Sequence, residues 1–332
     1  MHRVVLDAMG GDFAPQEILK GAELALKENP DLFLYLVGRP EAIKDFKNER
    51  VELVFSEEVV KMDEPPGEAL RKKKGASIFK GLELVKSGKA HAFVSAGNSG
   101  AVAAGSIFIL GRIKGVRRPA IATLLPSLKK PFVLIDAGAN VDSKPLDLFQ
   151  FGLMGSLFLE RVWNYKNPKV ALLSIGEETG KGNSLVKKTH QLFTSSKLNY
   201  VGNIESRDMY KGEIDVVVCD GFIGNICLKL SEGVAEVVTA MLKEEVKKCI
   251  FAMLGMALAR RALKNFKKRT DWREYGGAPL LGVKGVVIIA HGRSDRIAIK
   301  NAIKVAITGI KSNLVDKIES AIKENLVKEE MV

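Results

Sequence analysis

Residues 95–106, SAGNSGAVAAGS, set Ser95, Gly97, Asn98, Ser99 and Gly100 between the apolar stretch AFV and a small-residue run that reads as a helix. A chain that enters a helix through residues this small leaves the first backbone N–H groups unshielded, and bare N–H groups at a helix start hold anions. The same residues also fit a tight turn with Asn98 as N-cap. Similar loops recur in AMGGD (Gly10, Gly11), DAGAN (Asp136, Asn140), GEETGKGN (Gly180, Gly182, Asn183) and CDGFIGN (Asp220, Gly224). One such loop says little; five in one chain point to phosphate or carboxylate binding through backbone amides. Lys181 has glycine on both sides, so its ammonium either reaches a phosphate or developing oxyanion or is an ordinary surface lysine. Asn225 either donates to a reacting carbonyl oxygen or caps the helix that follows.

The elements that would carry these loops are nine apolar, β-branched runs at 3–8, 32–38, 51–55, 92–96, 120–126, 131–138, 169–176, 215–221 and 285–292, with helical stretches between them. Continuous apolar strands alternating with helices predict an α/β fold, a mostly parallel sheet with helices on both faces. With 332 residues, 46% of them hydrophobic, one catalytic α/β unit of two lobes, 1–332, is expected. Three runs end in an aspartate followed by small residues, at Asp7, Asp136 and Asp220. Strand carboxyl ends line the ligand crevice of such sheets, so these carboxylates either look into one cleft or brace turns and cap helices.

Several chemistries find no support. There is no G-x-S-x-G nucleophile motif. GEETGKGNS is one residue short of a P-loop and has Gly182 where a magnesium-binding hydroxyl belongs, and no G-x-G-x-x-G follows the first strand. No nucleotide or other cofactor is therefore expected. His291, in HGRSD, is one residue too close to its aspartate for the His-Asp pair of glycerolipid acyltransferases; it reads either as a structural residue or as a cleft-edge residue that touches ligand. Cys219, Cys227 and Cys249 lack C-x-x-C spacing, which predicts reduced thiols, mostly buried, and no metal site.

The net charge of +12 favours acidic partners. Nucleic acid is set aside, since the basic residues are not interleaved with aromatics. Asp7 interrupts any signal-peptide core, and no apolar run is long enough to span a bilayer; a cytoplasmic protein is expected. Residues 236–270 differ from the rest. An apolar helical stripe leads to a tip with Met253, Leu254, Met256 and Leu258, followed by Arg260, Arg261, Lys264, Lys267, Lys268 and Arg269 with no acid among them. That predicts a helical hairpin whose tip contacts an anionic membrane, packs on the core, or meets a second subunit.

LDAMGGD (6–12), SAGNSGA (95–101), IDAGAN (135–140), SIGEETGKGN (174–183), CDGFIGN (219–225) and GGAPLLGVKG (276–285) together resemble the PlsX family, the bacterial acyl-acyl carrier protein:phosphate acyltransferases of phospholipid synthesis. The resemblance implies transfer of a fatty acyl group from the thioester of acyl carrier protein to inorganic phosphate, giving an acyl phosphate for an integral-membrane glycerol-3-phosphate acyltransferase. It further implies a homodimer that visits the inner face of the cell membrane, and a fold similar to phosphotransacetylases and to isocitrate and isopropylmalate dehydrogenases. By family pattern Lys181 and Asn225 become active-site residues; the loops above, with His291, are the substrate-binding set that the residues themselves suggest. Two rivals stand beside this: a phosphotransacetylase using coenzyme A, and a non-catalytic scaffold that gathers acyl carrier protein at a membrane.

Overall fold

The computed structural model describes residues 1–329. Eleven strands form a continuous sheet: β1 His2–Asp7, β2 Leu32–Gly38, β3 Val51–Phe55, β4 Ala92–Ser95, β5 Ala120–Leu125, β6 Phe132–Ile135, β7 Val170–Ser174, β8 Tyr200–Glu205, β9 Val216–Val218, β10 Ala278–Leu281 and β11 Val286–Ile289, in the order β3-β2-β1-β4-β11-β10-β5-β6-β9-β7-β8. The strands from β3 to β11 pair in parallel, as do those from β6 to β8. Between these halves, β10 and β5 pair antiparallel with each other and with β11 and β6. The α/β expectation holds, with this antiparallel seam added.

Both faces are covered, which is why the strands read as unbroken apolar runs. Alternate residues of β1 show it: Val4 and Leu6 pack into one cluster and Val5 into another. Helices Gln16–Glu28, Pro145–Trp163 and Arg296–Lys311 cover the first face. Helices Pro66–Lys72, Ser77–Lys86 and Ser99–Gly105 cover the other face of the first half. In the second half, Leu134, Leu173 and Val217 pack toward Cys227 and Leu228 of the helix Gly221–Lys247.

Two strands escaped the sequence reading. β10 carries Pro279, which leaves an apolar run of only four residues, and β8 is interrupted by Gly202 and is mostly half-exposed. The thiols also differ from expectation: Cys219 is buried, Cys227 half-buried and Cys249 exposed.

A two-toothed ion pair clamps the helices that begin just after the loops 8–12 and 291–295. Arg296 donates through Nε and Nη2 to both Glu17 carboxylate oxygens at 2.8 Å, and its backbone N–H adds a third bond at 3.0 Å. Arg296 holds the Glu17 carboxyl down at about 2. A carboxylate lowered on folding stabilises above its ordinary pKa and loses that contribution as pH falls toward its folded value. Glu17→Gln is expected to cost about 1 kcal/mol at neutral pH. Below the folded pKa the two proteins should unfold at the same urea concentration, which urea titrations across that range check.

Candidate active site

At the carboxyl ends of β1 and β4, Asp7 and Ser95 are fully buried. Ser95 donates to Asp7 Oδ2 at 2.7 Å, Met9 N–H donates to Asp7 Oδ1 at 3.0 Å, and Gly97 N–H donates to Ser95 Oγ at 3.0 Å. Burial pushes the Asp7 carboxyl above the usual range, against the pull of the Ser95 hydrogen bond. Gly10 stacks against the Gly97 backbone. Gly11 has φ +98°, and a Cβ there would stand 2.9 Å from the Gly292 carbonyl. That same carbonyl accepts from Asp12 N–H at 2.8 Å, so the loops after β1, β4 and β11 are tied together. Asn98 caps its helix by accepting from Ala101 N–H at 2.9 Å, and its amide donates to the carbonyls of Lys61, Met62 and Glu64. Its side chain therefore anchors the 61–64 loop.

The second half uses the same device at the end of β6. Asp136 is fully buried and accepts five N–H bonds: from Ile121, Gly138 and Ala139 at Oδ1, and from the backbone and side chain of Asn140 at Oδ2. All five partners are donors, which only the ionised carboxylate satisfies; burial pushes its pKa up and these donors oppose that push. The Asn140 amide also donates to Pro119, and its carbonyl accepts from Gly221 N–H. Asp220 caps the helix Gly221–Lys247 by accepting from Phe222 and Ile223 N–H. Gly224 passes so close that any Cβ would overlap the Asp136 carbonyl. One residue on, Asn225 lies against Gly138.

These loops surround a cavity of about 450 Å³ over the central strands β5 and β10. Ile121, Thr123 and Ala278 form its floor; Gly97, Ser99, Asn225 and His291 stand around it. The structure thus brings together four of the residues expected at the site. Asp7, Asp136 and Asp220 are not among those lining the cavity; of the two readings open for them, their hydrogen bonds to loop and helix-start groups match the one in which they brace turns and cap helices. Gly10, Gly11, Ser95, Asn98, Gly100, Asn140 and Gly224 are likewise not among the lining residues. The Lys181 loop is a further difference. It sits at the end of β7, two strands from β6, where Lys181 and Gly180 are exposed and Asn183 caps the helix Ser184–Thr194. Neither Lys181 nor Gly182 lines the cavity.

The sequence reading missed other lining residues. Leu228, Lys229 and Glu232 lie three, four and seven positions after Asn225, on one face of its helix, a periodicity that could have found them. Trp272, Tyr275 and Arg293 gave no such signal. The Trp272 and His291 rings lie 5.0 Å apart, and His291 Nδ1 accepts from Arg293 N–H at 3.0 Å. Arg293 donates to Glu236 at 2.6 Å, joining the two halves at the cavity mouth.

A family model described as fatty acid synthesis protein matches residues 2–317. A phosphate acyltransferase of Halothermothrix orenii is 48% identical over 331 residues, covering 97% of this chain and 99% of its own length. Another, from Heliobacterium modesticaldum, is 50% identical over 327 residues, covering 96% and 97%. The chain belongs to the PlsX family of phosphate acyltransferases. It is therefore an enzyme. Among solved structures, a phosphotransacetylase from Streptococcus pyogenes aligns with TM-score 0.60 at 16% identity, covering 93% of this chain and 94% of its own. A branched-chain phosphotransacylase from Enterococcus faecalis aligns with TM-score 0.59 at 17% identity, covering 93% and 99%. These two likenesses are of fold.

In this PlsX-family enzyme the stretch 236–270 grows out of a helix that already starts at Gly221. Its outgoing arm is the far part of the helix Gly221–Lys247, its tip the helix Ile250–Leu258, and its return arm the helix Arg260–Thr270. Met253, Leu254 and Leu258 are exposed, Leu258 to 90%, whereas Met256 is half-buried. The return arm is anchored by Arg269, which donates to the Leu128 carbonyl at 2.6 Å.

Replacing Asp136 by Asn turns an amide N–H toward donors whichever way it sits. Asp136→Asn is expected to cost at least about 1.5–3 kcal/mol in a denaturant titration; unchanged stability would contradict the bracing role.

Proposed function

We propose that the enzyme transfers a fatty acyl group from an acyl carrier protein thioester to inorganic phosphate. The observation that carries this reading is the cavity beside Asn225, with small-residue loops at one side and an uncharged floor at the other, in a chain of the PlsX family. A phosphate oxygen attacks the thioester carbonyl carbon, the new C–O bond forms, the C–S bond breaks, and the carrier leaves as its thiol once protonated. Phosphate already carries the nucleophilic oxygen, so the protein's work is to hold it in line with the thioester, an advantage of about 7–11 kcal/mol where alignment is complete.

Asn225 serves here as the donor to the tetrahedral oxyanion; among the described residues its side chain has no hydrogen-bond partner competing for it. Gly97 and Ser99 present the anion-binding loop at the cavity wall. Lys181, exposed at the end of β7, acts from outside that wall by drawing the anion toward the strand ends. His291, its ring tilted against Trp272, borders the entering donor.

The partners follow from charge and exposure. Of the two basic stretches, the one at 71–74 is partly neutralised from within, Lys72 by Glu68 and Lys73 by Glu64. On the return arm, Arg260, Arg261, Lys264, Lys267 and Lys268 form no ion pair among the described residues. This arm suits an acidic carrier protein or anionic lipid. The bare stripe of Val237, Val238, Met241 and Leu242, each more than half exposed, fits a second copy in a homodimer, and the tip fits a membrane surface. No helix among the described residues is long and apolar enough to cross a membrane. A cytoplasmic enzyme resting on the inner leaflet delivers its acyl phosphate to a membrane-bound glycerol-3-phosphate acyltransferase.

With palmitoyl carrier protein as donor, release of free thiol is expected to require phosphate and to yield acyl phosphate. Release from acyl-coenzyme A alone would instead favour the phosphotransacetylase-like reading, and no release from either would favour a scaffold. Asn225→Ala should lower kcat by about 10²–10³, while an unchanged rate in Lys181→Ala would remove Lys181 from the mechanism. Met253→Asp combined with Leu254→Asp should abolish sedimentation with phosphatidylglycerol vesicles and leave the circular dichroism spectrum intact; persistent sedimentation would exclude the tip as the lipid contact.

A further inference from the structure

The cavity divides by chemistry. Its charged lining residues, Asp12, Lys229, Glu232 and Arg293, belong to the rim, where Asp12, Lys229 and Arg293 are exposed. Its floor carries no charge. Tyr275 is buried there with its hydroxyl already donating to the Arg269 carbonyl at 2.8 Å, which leaves its ring as the lining surface. A phosphate would lose its hydration on this floor for no paired charge. An alkyl chain gains from each methylene it buries.

We infer that the floor receives the acyl chain of the donor, and that the small side chains Thr123 and Ala278 set the longest chain it takes. The inference rests on the acyl-transfer reading and adds the residues that select its substrate. Leu280 pairs with Ile121 and Leu281 with Ala120 across the seam, so the same register sets Ala278 beside Thr123. Two neighbouring strands thus contribute their smallest lining side chains at one level, where bulk on either would fill the same space. Ile121, two residues before Thr123 on the same face of β5, is the larger neighbour that bounds this gap.

The test is the ratio of kcat/KM for palmitoyl over hexanoyl thioester with phosphate as acceptor. Thr123→Phe and Ala278→Leu are each expected to lower this ratio about tenfold or more. Ile121→Ala is expected to raise it, a direction that loss of stability alone does not produce. Ala278→Leu and Ile121→Ala keep the test open if Thr123→Phe fails to fold. Folded variants with the wild-type ratio would overturn the inference. A wild-type enzyme that forms acyl phosphate from neither thioester would overturn the transfer reading instead. In that case calorimetric titration with palmitate still decides the floor: Thr123→Phe and Ala278→Leu should weaken binding about tenfold, and unchanged binding, or none to wild type, rejects it.

Discussion

The second half of the site hangs on one buried carboxylate. Asp136 draws in N–H groups from β5, from the turn after β6 and from the Asn140 side chain, and Asn140 passes the connection to Pro119 and Gly221. Without that anion, several backbone donors would be buried with no acceptor, a state folded proteins avoid. Asp7 does the same on a smaller scale in the first half, through Ser95 and Met9. Both carboxyl groups are spent inside the loops. Beside them the cavity wall is made of Gly97, Ser99 and Asn225, while the carboxylates that do line the cavity, Asp12 and Glu232, belong to its rim.

The antiparallel seam explains why two parallel halves share one cavity. In a sheet with every strand parallel, all carboxyl ends point to one edge and the crevice opens there. Here β10 and β5 reverse the direction between the halves, so the strands on either side run toward opposite edges. The loops after β11 and β6 then come in from both sides over the same two short strands. The seam is at once the join and the floor, and its residues are accordingly small or apolar.

Strand-rich parts of this architecture were legible because burial on both faces writes itself as unbroken Val, Ile and Leu. β10 was not, because four residues with a proline carry no periodic signal, and its partners are fixed by tertiary pairing. At the site, Asn225 and the Gly97–Ser99 stretch were legible from residue type and position after a strand. The aspartates were visible too, but their side-chain direction was not, and direction separated ligand contact from loop bracing. Lys181 shows the converse: glycine on both sides marks freedom, and freedom says nothing about which strand end it serves. Trp272 and Tyr275 reach the cavity only through the return of a distant segment, so local sequence held no trace of them, and Arg293 adjoins His291 in a motif whose spacing matched no known pair.

The helix Gly221–Lys247 begins at the Asp220 cap, passes Asn225 within its second turn, and runs on without a break into the hairpin. At 1.5 Å per residue its 27 residues make a rod about 40 Å long. A rod of that kind has no joint at which a displacement can be absorbed. With its base pinned beside Asp136 by the close approach of Gly224, it behaves as a lever whose short arm carries Asn225 to the cavity. Whatever holds the hairpin therefore also sets the angle at which Asn225 faces the cavity, so that the two are ends of one mechanical element.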